Sequence, residues 1–379
     1  MSDYIHRLGT NWGTHEAWPS VPFGMIRSWD TYSEWWKLEP ARGSYDWSNL
    51  DWLLSQAELH HAQVLYTFGM TPRWASSAPN NGTCDLASEG AYGSCNPPLD
   101  MQDWDDFVRA LATHYAGRIH YYELWNEPNL PAYWQGTLTQ MLTMAQHAYT
   151  IIKGIDPNAV ILTPATAGGY GAPYMASYLA AGGGKYADVV AFHGYQSTKE
   201  IRDAEKITGY VSLYRQAIAA AGLNKPLWDT EWSFEYTSNY PNTALQAAYL
   251  AKGYILRLSL GVKRSYWFAW DTPNWGGLWT STGGITPAGI AYLQVYKWLV
   301  GASLSSRCTE DSKGTWRCGL SRAGGYQALI IWNSTSSFSY LPPTQYQYCA
   351  YLSGKIVALA GSSITVGNQP VLLETSKAF

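Results

Sequence analysis

Short apolar runs recur along the chain, each followed by a polar loop marked by Gly or Pro and then by helical spacing. The runs are "RLGTNW" (7–12), "FGMIRSWD" (23–30), "AQVLYTFG" (62–69) and "RIHYYELWN" (118–126). After them come "AVILTPA" (159–165), "DVVAFHGY" (188–195), "KPLWDTEW" (225–232) and "KRSYWFAWD" (263–271). Helical stretches lie between most of them. Residues 46–60 start at an N-cap candidate, Asp46, and put Leu50, Leu53, Leu54 and Ala57 on one face. Residues 103–116 space Trp104, Phe107, Val108, Leu111 and Tyr115 in the same way, and 138–154 and 243–260 read similarly.

Strand, loop and helix repeated eight times predict a (β/α)₈ TIM barrel. The first crossover, "GTHEAWPSVP", has no helix signal, an irregularity the barrel must tolerate. A doubly wound sheet is the alternative, but no G-x-G-x-x-G follows an early strand. From about residue 302 the period changes to short β-rich pieces, among them "YQALIIWN" and "QPVLLE", separated by Gly, Ser, Asn and Pro. The expected organisation is a catalytic barrel over 1–301 and a small antiparallel β-sandwich over 302–379, packed on it without a flexible linker.

Composition narrows the function. Charged residues are 14% of the chain, below the roughly 25% usual for globular proteins, and the net charge is −3. No basic stripe for nucleic acid or polybasic membrane patch is present, and no apolar run is long enough to span a bilayer. The 20 Trp and 29 Tyr stand against 8 Phe. Indole and phenol rings offer a flat apolar face with a polar edge, which matches a sugar ring with its hydroxyl rim. Many such rings simply fill a core; those in loops carry more weight.

The five Cys form two close pairs and a single. Cys84 with Cys95 and Cys308 with Cys318 lack metal-ligand spacing with His, so disulfides are expected, and with them an extracytoplasmic location, secreted or periplasmic. Cys349 is expected as a buried thiol. The opening "MSDYIHRLGTNW" is no signal peptide, which an exported protein would have lost. Sequons at Asn81 and Asn333 matter only in a glycosylating host.

Barrel enzymes carry their chemistry at the C-terminal ends of the strands. The second run holds Arg27 and ends in Trp29-Asp30, and the fourth ends in Asn126-Glu127. The sixth ends in His193-Gly194-Tyr195, the seventh in Asp229-Thr230-Glu231-Trp232, and the eighth holds Trp267, Trp270 and Asp271. Glu123 lies inside an alternating stretch and can face either way. Glu127 and Glu231 would meet across one mouth. Two carboxylates facing a sugar can hydrolyse a glycoside if one stays protonated and the other ionised. Arg27 would hold the attacking acid ionised, Asn126 could bond a 2-hydroxyl, and Trp270 would floor the sugar.

Each signal alone has an ordinary explanation. A lone Glu at a strand end is more often a helix cap or a salt-bridge partner, and a lone His before Gly is more often structural. Their placement on successive strand ends is what resists that explanation. Other chemistries have no motif: H-E-x-x-H, C-x-x-C, an EF-hand loop, G-x-S-x-G and a P-loop are all missing, so no catalytic metal or cofactor is implied.

"ELWNEPN", "AFHGY", "LWDTEWSF" and "YWFAWD" together resemble the clan A glycoside hydrolases, retaining (β/α)₈ enzymes with Asn-Glu after strand four and Glu after strand seven. The resemblance implies that Glu127 is the general acid/base and Glu231 the nucleophile. It places Arg27, Asn126, His193, Tyr195 and Trp270 in the supporting shell. Within the clan, "YTFGMTPRWASS" (66–77) and "AQHAYTIIKGIDPNAVILTP" (145–164) resemble family 39, which includes β-xylosidases, α-L-iduronidases and exopolysaccharide endoglycosidases. Family β-xylosidases are often oligomers; nothing in this sequence demands one, and a monomer is expected.

Trp12, Trp29, Trp35, Trp36, Trp74, Trp134, Trp275 and Trp279 fall at or beyond the strand ends, which suggests several sugar subsites and an oligo- or polysaccharide substrate. Trp35 and Trp36, beside Tyr45 and Trp47, could equally pack loop against helix. The loop over 70–102 is long for a βα connection and could wall a cleft. Apart from Arg73, Lys199 and Arg202 these loops hold few cations, so a strongly anionic substrate is less favoured. A carbohydrate-binding protein on a hydrolase scaffold and a transglycosylase are the rival readings.

Overall fold

A computed structural model describes residues 18–196, 203–234, 243–272, 275–281 and 283–377. The first run, Trp12, Lys199 and Arg202 lie outside the described residues. The other seven runs all form parallel strands. Met25–Arg27, Gln63–Thr67, Tyr121–Glu123 and Val160–Leu162 pair in that order, and Thr166–Ala167, Val190–His193, Leu227–Trp232 and Ser265–Trp267 continue the series. The fifth run serves both sets, since Leu162 bridges Val189 and Ala165 bridges Asn126. Spatial order thus follows chain order, as successive right-handed crossovers dictate.

Alternation sorts the strand residues into two cores. Met25, Leu65, Leu162, Ala191, Trp228 and Tyr266 fill the interior, while Ile26, Val64, Tyr66, Tyr122, Ile161 and Phe192 face the helices. The last strand closes on the earliest described one: the Tyr266 hydroxyl meets Met25 Sδ at 3.1 Å, and Arg264 reaches both Met25 and the Tyr121 hydroxyl. Helices form where the spacing predicts them, at Ser48–Leu59, Met101–His114, Leu138–Ile155 and Thr243–Ser259. Their starts are chemically marked. Asp100 accepts from Gln102 N–H, and Thr137 and Gln140 form a reciprocal capping box. Asp46 does not occupy the cap position, which falls to Trp47, but its Oδ1 still accepts the Ser48 N–H at 3.0 Å.

After the helix Pro287–Leu299, an antiparallel six-stranded sheet begins with Ser303–Glu310 and a two-stranded ribbon, Phe338–Tyr340 with Ile364–Val366, covers one face. Ile331, Cys349 and Leu373 pack under that ribbon. The opposite face, with Trp316, Cys318, Leu320, Ile330 and Trp332, joins the same apolar cluster as the barrel helices. Cys84–Cys95 and Cys308–Cys318 are disulfides, and Cys349 is a buried free thiol whose pKa burial pushes up to about 11.

A buried ionic cluster pins the two parts together. Lys252 donates to Glu205 Oε2 (3.1 Å) and to Asn368 Oδ1 (2.9 Å), while Trp332 Nε1 donates to Glu205 Oε1 (2.8 Å). The Lys252 side chain is 3% exposed. Lys252→Met removes one partner of a buried pair and leaves Glu205 uncompensated, which costs about 3–5 kcal/mol. Denaturant unfolding of the variant is expected to show a loss on that scale; a loss below about 1 kcal/mol, the value of a surface pair, would contradict it.

Candidate active site

The strand ends bring one cation and three acids together. Arg27, fully buried at the end of Met25–Arg27, spreads its guanidinium over three partners. Nε donates to Glu123 Oε2 (2.7 Å), Nη1 to Glu231 Oε2 (2.7 Å) and Nη2 to Asn126 Oδ1 (2.8 Å). The planar fork therefore fixes residues from two other strands of the barrel at once. Glu123 is also held by the Thr67 hydroxyl at 3.1 Å. With Oδ1 turned to the cation, the Asn126 amide keeps its N–H donors for another partner.

Glu127 leaves the strand by a strained step. Its φ is 45°, a left-handed conformation that costs a residue with a Cβ about 1 kcal/mol or more. Pro128 ends the ladder, and Glu127 N–H is captured by Ala165 O of the neighbouring run at 2.8 Å. The carboxyl points to His193, whose Nδ1 lies 2.6 Å from Oε1. Burial lifts the Glu127 pKa to about 7, Arg27 opposes the rise, and Asp85 and Glu123 add to it. Burial likewise lowers His193 to about 4, so the imidazole is neutral near pH 7.

Glu231 faces this pair. Its Oε2 is held by Arg27, and its Oε1 accepts the Tyr195 hydroxyl at 2.6 Å. Burial raises its pKa too, with Glu127 adding to the rise, while the Arg27 charge and the Tyr195 hydrogen bond pull the other way. Glu127, His193 and Glu231 each present an atom within 4.8 Å of the others, a spacing a cation could use. Arg27 already supplies positive charge at 2.7 Å from Glu231, which disfavours a second cation there.

The backbone between His193 and Tyr195 must be glycine. Gly194 N–H donates to Asp229 Oδ1 (2.8 Å), and a Cβ at that position would collide with Asp229 and Arg257. Arg257 in turn grips Asp229 at 2.6 Å and lies 3.6 Å over the Trp232 ring. Burial raises Asp229 to about 6, against the pull of Arg257. This buried pair sets the register of two residues that touch the acids.

Of the aromatic candidates, Trp29 packs against Gly69, where a Cβ would strike its ring, and lies 5.9 Å from the Arg27 guanidinium. Trp275 stands edge-on to Tyr195 at 5.8 Å, and Trp270 stacks with Trp279 at 6.5 Å. Two indoles depart from the expected cleft. Trp35 is fully buried and stacks on Phe107 at 5.1 Å, because the short helix Trp35–Leu38 turns it inward. Trp134 is 4% exposed and packs edge-on to Trp125 at 5.3 Å, in the apolar cluster that also takes in Trp270, itself 6% exposed.

Sequence reasoning left out Glu123, Thr67, Asp229 and Arg257 as participants. It also left out Tyr133, whose ring meets Trp29 edge-on and whose hydroxyl bonds Asp85 of the disulfide loop. A signal for Glu123 was available: it shares strand parity with Tyr121, which faces the interior, and a buried Arg27 needs more than one counter-charge.

The sequence pattern of glycosyl hydrolases family 39 matches residues 61–271, which hold Glu123, Asn126, Glu127, His193, Tyr195 and Glu231 but not Arg27. The chain belongs to glycosyl hydrolases family 39. Among curated relatives, it is 25% identical over 195 residues to a beta-xylosidase of Caldicellulosiruptor saccharolyticus, a match covering 46% of this chain and 40% of that one. A beta-xylosidase of Geobacillus stearothermophilus is 26% identical over 186 residues, 42% of this chain and 37% of its own. The matches thus span well under half the length of those relatives. A solved family 39 glycoside hydrolase from the gut symbiont Bacteroides cellulosilyticus superposes with a TM-score of 0.72 at 19% identity, over 93% of this chain and 75% of that one. This family 39 chain shares its barrel and β domain with that structure. Among the described residues, no helix is long and apolar enough to cross a membrane.

Proposed function

We propose that this family 39 chain is a retaining β-glycosidase, β-xylosidase-like, that cleaves β-glycosidic bonds of an oligo- or polysaccharide. The observation that carries the reading is the short span between Glu127 and Glu231, whose nearest oxygens lie within 4.8 Å. Carboxyls about 5–5.5 Å apart suit a covalent route, whereas inversion needs about 6.5–9.5 Å for an intervening water. The unequal surroundings of the two acids support a division of roles. Glu127, lifted to about 7, donates a proton to the leaving oxygen as the glycosidic bond breaks. Glu231, held by Arg27 and Tyr195, forms a C–O bond to the anomeric carbon from the opposite side. Water then attacks that carbon, gives its proton to Glu127 and releases Glu231, and the two inversions sum to retention.

In this reading Asn126, Tyr195, Trp270 and Trp275 hold the reacting sugar, with Trp29 behind Arg27. The xylose preference rests on the curated relatives, both beta-xylosidases. The two disulfides support export from the cytoplasm. The test is product-resolved hydrolysis of xylo-, gluco-, galacto- and arabino-configured glycans by the wild type and Glu231→Ala. Cleavage of one glycan by wild type alone, with the β-anomer released first, upholds the reading. Binding by both proteins with cleavage by neither would replace it with a carbohydrate-binding role.

The proton on Glu127 also fixes a pH dependence. The donor must be protonated, so kcat/KM falls as pH rises through about 7. The attacker must be ionised, so the rate falls again on the acid side as Glu231 takes up a proton. In Glu127→Gln the basic limb should vanish from the pH profile; a limb that persists unchanged near 7 would assign it to another group.

A further inference from the structure

A concave surface among the loops after the strand ends has a volume of about 810 Å³, within the range of ligand sites. Its walls come from the loops after the second and third runs, and Trp36, Lys37, Pro72, Arg73, Trp74 and Leu99 line it. No carboxylate side chain belongs to the lining. Both indoles are half-buried, and Leu99 is 79% exposed, an apolar side chain left in water at the groove's rim.

The walls are rigid before any ligand arrives. Trp74 Nε1 donates to Glu39 O at 2.9 Å, which fixes the ring plane. Arg73 is braced on Pro79 O (2.9 Å) and Asn80 Oδ1 (2.7 Å). The disulfide Cys84–Cys95 closes the loop behind them, with Thr71 N–H on Ser94 O and Ser77 N–H on Pro97 O, both at 3.0 Å. Pre-ordered walls leave little entropy to lose on binding.

The groove lies on the same face of the barrel as the acids, since its walls follow the C-terminal ends of Met25–Arg27 and Gln63–Thr67. Trp36 packs against the interior cluster that contains Trp29, and Trp29 lies over the guanidinium that grips Glu231. Lys37 Nζ sits 4.0 Å above one face of the Trp36 ring and the Arg42 guanidinium 5.4 Å over Trp74, so a cation covers one face of each indole and a stacking sugar would take the other. Indole faces take the C–H side of a pyranose, and ammonium and guanidinium groups donate to its hydroxyls. That chemistry fits a sugar chain better than a peptide or a lipid.

We propose that this groove is a second sugar-binding platform, holding the distal sugars of a polysaccharide chain whose reacting unit lies between Glu127 and Glu231. The inference rests on the glycosidase reading for its substrate class, and it makes the natural substrate a long chain rather than a disaccharide.

The experiment compares Trp74→Ala and Lys37→Ala with wild type in two measurements. The first is kcat/KM on a short aryl β-xyloside and on a xylo-oligosaccharide series of increasing length. The second is calorimetric binding of the longest oligosaccharide to each variant carrying Glu231→Gln. The expected result is unchanged activity on the aryl glycoside, with kcat/KM on the longest chain lowered about tenfold through KM and binding weakened to match. Equal losses on short and long substrates, or no loss on either, overturn the platform. If wild type cleaves nothing but binds the long chain in a Trp74-dependent way, the platform stands and the hydrolase reading falls. Cleavage and binding indifferent to Trp74 and Lys37 give the reverse.

Discussion

Glu231→Ala is expected to lower kcat by about 10⁵-fold, the scale on which losing a covalent nucleophile costs an enzyme, or about 7 kcal/mol of barrier. Glu127→Ala is expected to cost less, roughly 10²–10⁴-fold, and its cost should depend on the substrate. The difference follows from what each acid does. Without Glu231 no bond forms at the anomeric carbon, whatever the leaving group. Without Glu127 a leaving group that departs as a stable anion needs no proton, so a nitrophenyl glycoside should lose far less glycosylation rate than an alkyl or sugar glycoside. Steady-state kinetics on a leaving-group series separate the two variants. Equal, leaving-group-independent losses in both would mean that the roles derived from their surroundings are wrong.

Azide gives the same assignment a second readout. In Glu231→Ala a small anion can occupy the vacated space and attack the anomeric carbon while the aglycone leaves with the Glu127 proton, giving a glycosyl azide of inverted configuration. In Glu127→Ala azide instead attacks the covalent intermediate and gives the retained product. The anomeric configuration of the azide therefore identifies the attacking acid, independent of any rate.

The fold was legible because the barrel repeats one short-range rule. Apolar runs of strand length, a loop, then 3.6-residue spacing recur often enough that one irregular crossover does not hide the pattern. The close Cys pairs were legible for the same reason, since their partners lie 11 and 10 residues apart, whereas the cap read at Asp46 falls on Trp47. What escaped was long-range. Glu205 is 127 residues from Trp332, and Arg257 is 28 from Asp229 and 63 from Gly194. No local pattern marks such pairings.

Aromatics show the same limit in reverse. Trp35 and Trp36 are adjacent and chemically identical, yet one is sealed against Phe107 and the other lines the groove. A single helical step of roughly 100° decides which, and the sequence does not carry the rotation. The two acids were found because they were read at the ends of their runs; Glu123, four residues before Glu127, was ambiguous because the sequence does not show that the strand ends on it.

Arg27→Met should be the most damaging single change outside the two acids, and it tests how the site is held together. The substitution leaves Glu123 and Glu231 buried with their shared cation gone. Breaking a buried ionic network from one side costs about 3–5 kcal/mol, so the unfolding midpoint in denaturant should fall on that scale. With the positive charge lost, Glu231 binds its proton more tightly, and the acid limb of the rate profile moves upward toward the basic limb set by Glu127. The bell narrows and its maximum falls. Arg27→Lys separates charge from geometry. A lysine restores one positive charge, so much of the stability and the acid limb should return. It cannot reproduce three donors aimed at Glu123, Glu231 and Asn126 from one plane, so kcat should stay low. Full recovery of kcat in Arg27→Lys would show that Arg27 acts only as a point charge, and that the positions of Asn126 and Glu231 are set by their strands alone.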